Sequence, residues 1–283
     1  MAERLLGKQV NAALNASITE RADELRRKGI APKLAIIRVG EREDDLSYER
    51  GAMKRCQTLH VDVTNYVLPA NVGQDELEQT IRMVNEDAAI HGVLLFRPLP
   101  KHLDENRIIS MLDPKKDVDG ITEGSMAGVF SGNGTGYPPC TAQACMEILD
   151  HYGIDCTGKK AVVIGRSMVI GKPAAMMLLQ KNATVTICHT RTKRMEEITK
   201  DADILLVAAG RARVVDESFV SEGQIVLDVG IHVKEDGGLC GDVAYDKVEG
   251  IVKAITPVPG GVGGVTTSVL IEHVVSAAEK VLG

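Results

Sequence analysis

The stretch AVVIGRSMVIGKP, Ala161 to Pro173, decides the fold. Ala161 to Ile164 are small or β-branched and read as a buried strand. Gly165, Arg166 and Ser167 turn the chain, and Gly171-Lys172-Pro173 opens the apolar helix AAMMLLQ. A doubly wound domain holds a nucleotide phosphate with this order of strand, glycine turn and helix start. The glycine lets backbone approach the ligand, and the free N–H groups and dipole of the helix start favour an anion. Ser167 stands where the second glycine of GxGxxG would be, and five residues separate Gly165 from Gly171. On its own the stretch reads equally well as a plain strand-to-helix turn of an α/β protein.

The next strand shifts that balance. Thr184 to Ile187 runs into CHTRTK, Cys188 to Lys193. A site for NAD places an acid about 20 residues after the glycines, for the ribose 2′-hydroxyl. Here no acid stands between Gly165 and Glu196. Thr190, Arg191 and Arg166 offer hydroxyls and cations instead, which suit a 2′-phosphate. Arg191 and Lys193 are poorly placed for a mere solvated helix start, where the dipole disfavours cations. The expectation is NADP rather than NAD.

At 283 residues the chain suits two domains, and 44% apolar with 25% charged residues is ordinary for a globular enzyme. A net charge of −6 gives no overall attraction to nucleic acid or an anionic membrane. The segment from Met1, MAERLLGKQVNAAL, lacks a signal-peptide core, and no window approaches a membrane span. Six cysteines without CxxC spacing read as reduced small hydrophobes rather than bridges or a zinc site, and the seven histidines are dispersed. The expected compartment is the cytoplasm, with no metal.

Elements alternate through the first 113 residues: helix Lys8–Lys28, strand Lys33–Val39, helix Ser47–Leu59, strand Thr64–Leu68, helix Gln74–Asn85, strand Gly92–Phe96, and a short helix over 103–113. The fold class is therefore α/β: an N-terminal substrate domain and a Rossmann-like doubly wound domain, with a cleft between them. The expected boundaries are 1–121 plus 265–283 for the first, 142–264 for the second, and 122–141 as a glycine-rich connection. The last apolar helix, Thr267 to Leu282, needs a surface to cover and is assigned to the first domain.

Eight stretches, in order, resemble the methylenetetrahydrofolate dehydrogenase/cyclohydrolase family of the FolD type. They are the Ser47-Tyr48 helix with Lys54 and Cys56, RPLP after Phe96, KDVDG (Lys116–Gly120) and PPCT (Pro138–Thr141). GRSMVIGKP, CHTRT, LDVGI (Leu227–Ile231) and TPVPGGVG (Thr256–Gly263) complete the set. The resemblance spans essentially the whole chain. It implies NADP-dependent oxidation of 5,10-methylenetetrahydrofolate to the methenyl cation, hydrolysis of that cation to 10-formyltetrahydrofolate, and a homodimer. Carried over, Tyr48 would pack on the folate ring and Asp119 would hydrogen-bond the pterin, both counted as catalytic. Pro257, Val258, Pro259, Gly260 and Gly261 would line the pocket. Gly165, Arg166, Ser167, Gly171, Thr190, Arg191 and Ile231 would hold the cofactor. From the residues alone, Asp119 reads equally as a turn carboxylate capping its own loop.

The sequence departs from the family at one sub-site. The family places its proton-transferring Lys four residues after the Tyr, where this chain has Ala52. Lys54, six residues on, lies about 120° from Tyr48 around the helix, against about 40° for i+4. Arg55 returns to the face but sits about 10 Å along the axis, and a guanidinium does not give up its proton at neutral pH. The family's Gln before its Leu-Pro is Phe96 here, with Arg97 next on the opposite strand face. Two losses in one pair imply a dehydrogenase whose cyclohydrolase activity is weak or absent, its product passing to a separate cyclohydrolase. Gly264-Val265 and Ala142 stand where Pro-Met and Pro are usual. Two alternatives stay open: a bifunctional enzyme using Arg55, Arg97 or a water, and an inactive folate- or NADP-binding sensor.

Overall fold

Apolar strands without alternation need cover on both faces, and the chain builds two sheets that receive it. The computed structural model describes residues 1–282. It divides into two units: Ala13–Cys140 with the residues from Thr267 on, and Met1–Ala12 with Thr141–Thr266.

After β1 (Glu3–Arg4) and α1 (Gly7–Arg27), the first unit winds through β2 (Lys33–Val39), α2 (Glu43–Thr58), β3 (Asp62–Leu68), α3 (Gln74–Glu86) and β4 (Gly92–Leu95). These strands form a parallel sheet of order β3-β2-β4. β2 is central and buried from Leu34 to Val39. α3 and α4 (Glu105–Met111) cover one face, sending Leu77, Ile81, Val84 and Ile108 against Ile37 and Leu95. An isolated parallel bridge from Val93 to Asp117 lays the KDVDG segment beside β4. Residues 122–141 are not the plain connection expected: α5 (Glu123–Ser131) lies within them, and residues up to Cys140 group with this unit. The glycines hid that helix. Gly128 is required inside it, because a Cβ there would run into the Thr135 backbone, and Thr122 caps its start by accepting from Ser125 N–H.

The second unit follows with α6 (Cys140–His151), β5 (Lys160–Ile164), α7 (Gly171–Gln180), β6 (Thr184–Cys188), α8 (Met195–Lys200), β7 (Ile204–Val207) and β8 (Ile225–Asp228). A hairpin of β9 (His232–Val233) and β10 (Leu239–Cys240), then α9 (Tyr245–Val248) and β11 (Ala254–Ile255), complete it before α10 (Thr266–Glu279). Its sheet is parallel throughout, in the order β1-β11-β8-β7-β5-β6. The N-terminal strand therefore belongs to this unit, not to the first as expected. Two residues paired through their backbones carry no side-chain pattern, which is why β1 and the hairpin left no trace in the sequence. α10 returns to the first unit, where Arg21 of α1 binds Glu279 (2.8 Å) and Ser276 (2.7 Å). Among the described residues no helix is long and apolar enough to cross a membrane.

Candidate active and cofactor sites

In the second unit β5 lies between β6 and β7, so the strand order reverses at its carboxyl end. Open α/β sheets bind ligands outside that point. Gly165 sits there with φ +128°, a conformation side chains rarely adopt, and a Cβ on it would meet the Ala208 carbonyl at the end of β7. Gly171 packs equally close: a Cβ would run into the Gly165 carbonyl and lie 2.6 Å from Arg166 N. Ser167 accepts from the Ile170 amide (3.3 Å) and shapes the turn from within. The register of β5 with β6 pairs Ile164 with Cys188, which sets Thr190 and Arg191 beside this loop. Arg166, Thr190, Arg191 and Lys193 are exposed, whereas Arg194 is neutralised by Glu197 (Nε···Oε1 2.6 Å). The donor set thus fits a phosphorylated dinucleotide. A Gly171→Ala variant is expected to weaken NADP binding at least tenfold and to destabilise the unit by about 1–3 kcal/mol through overpacking. Calorimetric titration and thermal melting check both.

Ile231 and all five residues from Pro257 to Gly261 line one cavity of about 240 Å³ at the carboxyl end of β8, together with Asp228, Gly230 and Leu239. The structure therefore gathers expected cofactor and pocket residues that lie 26 or more positions apart in the chain.

The first unit holds the remaining residues. Tyr48 stands on the α2 surface, 38% exposed, and its helix is anchored by Glu49. That carboxylate is buried, bound to Arg38 (2.6 Å) on β2 and Asn65 (2.6 Å) on β3. Sequence reading passed over Glu49, although Asp45, Glu49, Ala52 and Cys56 form one buried stripe of α2 at spacings of four, three and four. Ala52 follows Tyr48 by one turn and is 1% exposed. Phe96, at the carboxyl end of β4, packs edge-on against the Tyr48 ring, centroids 5.8 Å apart at 83°. An aromatic edge thus flanks Tyr48 on the side of β4.

KDVDG divides its labour. Asp117 is fully buried and accepts from Ile121 N–H (2.9 Å), Thr122 N–H (2.7 Å), Thr122 Oγ1 (2.7 Å) and Ser125 Oγ (2.6 Å). The loop-capping role that Asp119 could have taken thus falls to Asp117. Asp119 keeps partial exposure near Cys140, whose thiol donates to the Val118 carbonyl (3.4 Å). Burial, with repulsion from Asp117, raises its pKa to about 6 against the thiol and the attraction of Arg97. The cations weighed as lysine substitutes are engaged elsewhere. Arg55 donates to Ser268 (2.9 Å) and Asn15 (3.4 Å), and Arg97 leans toward Glu105 (3.8 Å). Lys54 is exposed and lines an open surface depression with Arg26, Gln57 and His60.

Two family models match the chain. The catalytic domain of tetrahydrofolate dehydrogenase/cyclohydrolase covers residues 5–119, and the NAD(P)-binding domain of the same enzymes covers residues 139–282. The bifunctional protein FolD of Carboxydothermus hydrogenoformans is 52% identical over 285 residues, covering 100% of this chain and 99% of that one. Among solved structures, the bifunctional dehydrogenase/cyclohydrolase FolD of Campylobacter jejuni superposes with a TM-score of 0.96 at 38% identity, over 99% of both chains. The Trypanosoma brucei dehydrogenase-cyclohydrolase, solved with NADP and an inhibitor, gives 0.91 at 34% identity over 99% of this chain and 98% of that one.

Proposed function

Since the chain belongs to the tetrahydrofolate dehydrogenase/cyclohydrolase family, we propose that it oxidises 5,10-methylenetetrahydrofolate with NADP and hydrolyses the product weakly or not at all. The observation that carries the second half is the buried Ala52 beside the Tyr48–Phe96 aromatic pair. When bound, NADP accepts the hydride leaving the methylene carbon. Tyr48 offers its ring face to the folate, and the Asp119 carboxylate accepts from the pterin N–H groups. Gly165, Gly171 and the exposed Arg166 and Arg191 hold the dinucleotide. These tasks are orientation and exclusion of water, and none of them needs a titrating base at position 52. Hydrolysis does need one, to take a proton from the attacking water. Neither a methyl group nor a phenyl ring supplies it, and the nearby guanidinium groups stay protonated.

The bifunctional reading is favoured by the relatives, whose names give both activities. An inactive sensor is disfavoured, because a chain without activity would have no chemical reason to keep Tyr48, Asp119 and the glycine loop. The homodimer and a separate cyclohydrolase belong to the same proposal. The deciding experiment mixes protein, methylenetetrahydrofolate and NADP, and follows NADPH and methenyltetrahydrofolate together against a buffer blank. Methenyl is expected to build up in step with NADPH and to decay no faster than the blank. NADPH rising while methenyl stays low establishes the bifunctional enzyme, and no NADPH establishes the sensor.

A further inference from the structure

At the foot of the β9–β10 hairpin two buried carboxylates stand against each other, and neither is explained by the reading above. Asp228, which ends β8, is 2% exposed and accepts from the amides of Gly230, Asp242 and Val243, each at 3.0 Å. Asp242 is fully buried and accepts from the amides of Gly210 (2.9 Å) and Arg211 (3.0 Å), and from His232 Nε2 (2.7 Å). Backbone closes around them: a Cβ on Gly230 would run into the Asp242 carboxylate, and one on Gly241 into that of Asp228.

Asp242 thus joins two pieces of the sheet's carboxyl edge. Gly210 and Arg211 belong to the turn leaving β7, beside the point where strand order reverses. His232 belongs to a hairpin whose ladder has only two residue pairs, Val233 with Leu239 and His232 with Cys240. So short a ladder is marginal by itself. The same hairpin presents Ile231 and Leu239 to the cavity closed by Pro257–Gly264. That cavity lies at β8, across the reversal point from Arg191 at the end of β6. A dinucleotide spanning the reversal point with its 2′-phosphate at Arg191 puts its nicotinamide half on the cavity side.

We propose that His232 is a positioning residue for hydride transfer: its bond to Asp242 fixes the hairpin, and with it the Ile231 wall against which the nicotinamide is set. The inference rests on the NADP-dehydrogenase reading. An imidazole donor is suited to the task because Nε2 reaches a fully buried carboxylate while the ring itself stays at the surface, 24% exposed.

The test compares wild-type protein, His232→Leu and His232→Gln, since glutamine places an amide donor near the position of Nε2. Each is titrated with NADP by calorimetry and assayed with methylenetetrahydrofolate, with and without deuterium at the methylene carbon. His232→Leu is expected to lose roughly tenfold in kcat, the scale of a modest misplacement of reacting groups. Its isotope effect should grow, and its NADP Kd should stay within about threefold, because the 2′-phosphate end is untouched. His232→Gln should recover most of the loss. Unchanged kcat in the leucine variant, an equal loss in the glutamine variant, or a fall in NADP affinity as large as that in kcat overturns the inference. Where leucine prevents folding, His232→Ala takes its place in the same comparison. Normal NADPH formation by the wild type with unaffected variants sinks the clamp alone. No NADPH from the wild type sinks the dehydrogenase reading, and the clamp with it.

Discussion

Asp119→Asn is expected to cost about a hundredfold in kcat/KM for the folate while raising the melting temperature above pH 7. If Asp119 is the pterin acceptor as proposed, loss of its charge removes about 2–3 kcal/mol of binding in the transition state, and every 1.36 kcal/mol is tenfold in rate. The stability change runs the other way. Burial and Asp117 lift the folded carboxyl from 3.8 to about 6, with Arg97 and the Cys140 thiol opposing. Between those values the unfolded chain has already released the proton that the folded chain still holds. Stability therefore falls as pH rises through this window, and the cost persists at every higher pH. Asparagine carries no such charge, so variant and wild type should converge toward pH 4 and separate by pH 7. Melting curves across that range check the stability half. Wild-type kcat/KM should decline below about pH 6, as Asp119 takes up a proton and stops accepting. A flat profile there, or a variant no more stable at pH 8, contradicts the assignment of Asp119 as the pterin acceptor.

Introducing the proposed pair with Ala52→Lys and Phe96→Gln together is expected to raise methenyl hydrolysis by about a hundredfold over the wild type, the lower range for a positioned acid or base. Neither change alone should do so. Ala52 is 1% exposed, so a lone lysine would have to push its amine past the Tyr48–Phe96 contact or leave it desolvated, where it loses its charge. Phe96→Gln alone gives up an aromatic pair worth about 1 kcal/mol and admits water without a base to activate it. The dehydrogenase rate should change little in the double variant, since Asp119 and the glycine loop are untouched. Methenyl decay followed at its own absorbance, with each single variant beside the double, decides the matter. No gain in the double variant would contradict the proposal that these two positions limit hydrolysis.

Much of this protein was legible in its residues because the relevant signals are local. The run Lys33–Val39 is apolar enough to demand burial on both faces, and it forms a strand with those bounds. α3, read as Gln74–Asn85, forms at Gln74–Glu86, and the glycine loop follows its strand as the spacing required. Elements stabilised by contacts distant in the chain were not legible. α5 is rich in glycine because Pro114 and Thr135 approach it closely, and glycine-rich sequence reads as loop. β1 exists because Glu3 and Arg4 pair with Ala254 and Ile255, some 250 residues away.

Side-chain type and spacing along the chain were enough for the α/β class, for the order of strand, glycine turn and helix at Ala161–Gln180, and for the cations and hydroxyls that point to NADP. Only the folded structure settles which carboxylates serve the scaffold and which keep partial access to solvent. Asp117 and Asp119 are two residues apart and chemically identical, yet one is spent on four donors from its own loop while the other retains exposure and a raised pKa. Asp228 stands in LDVGI, but nothing in the sequence joins it to Asp242 and His232. A carboxylate's role is set by the donors and the dielectric around it, and both are supplied by backbone that arrives from elsewhere in the fold.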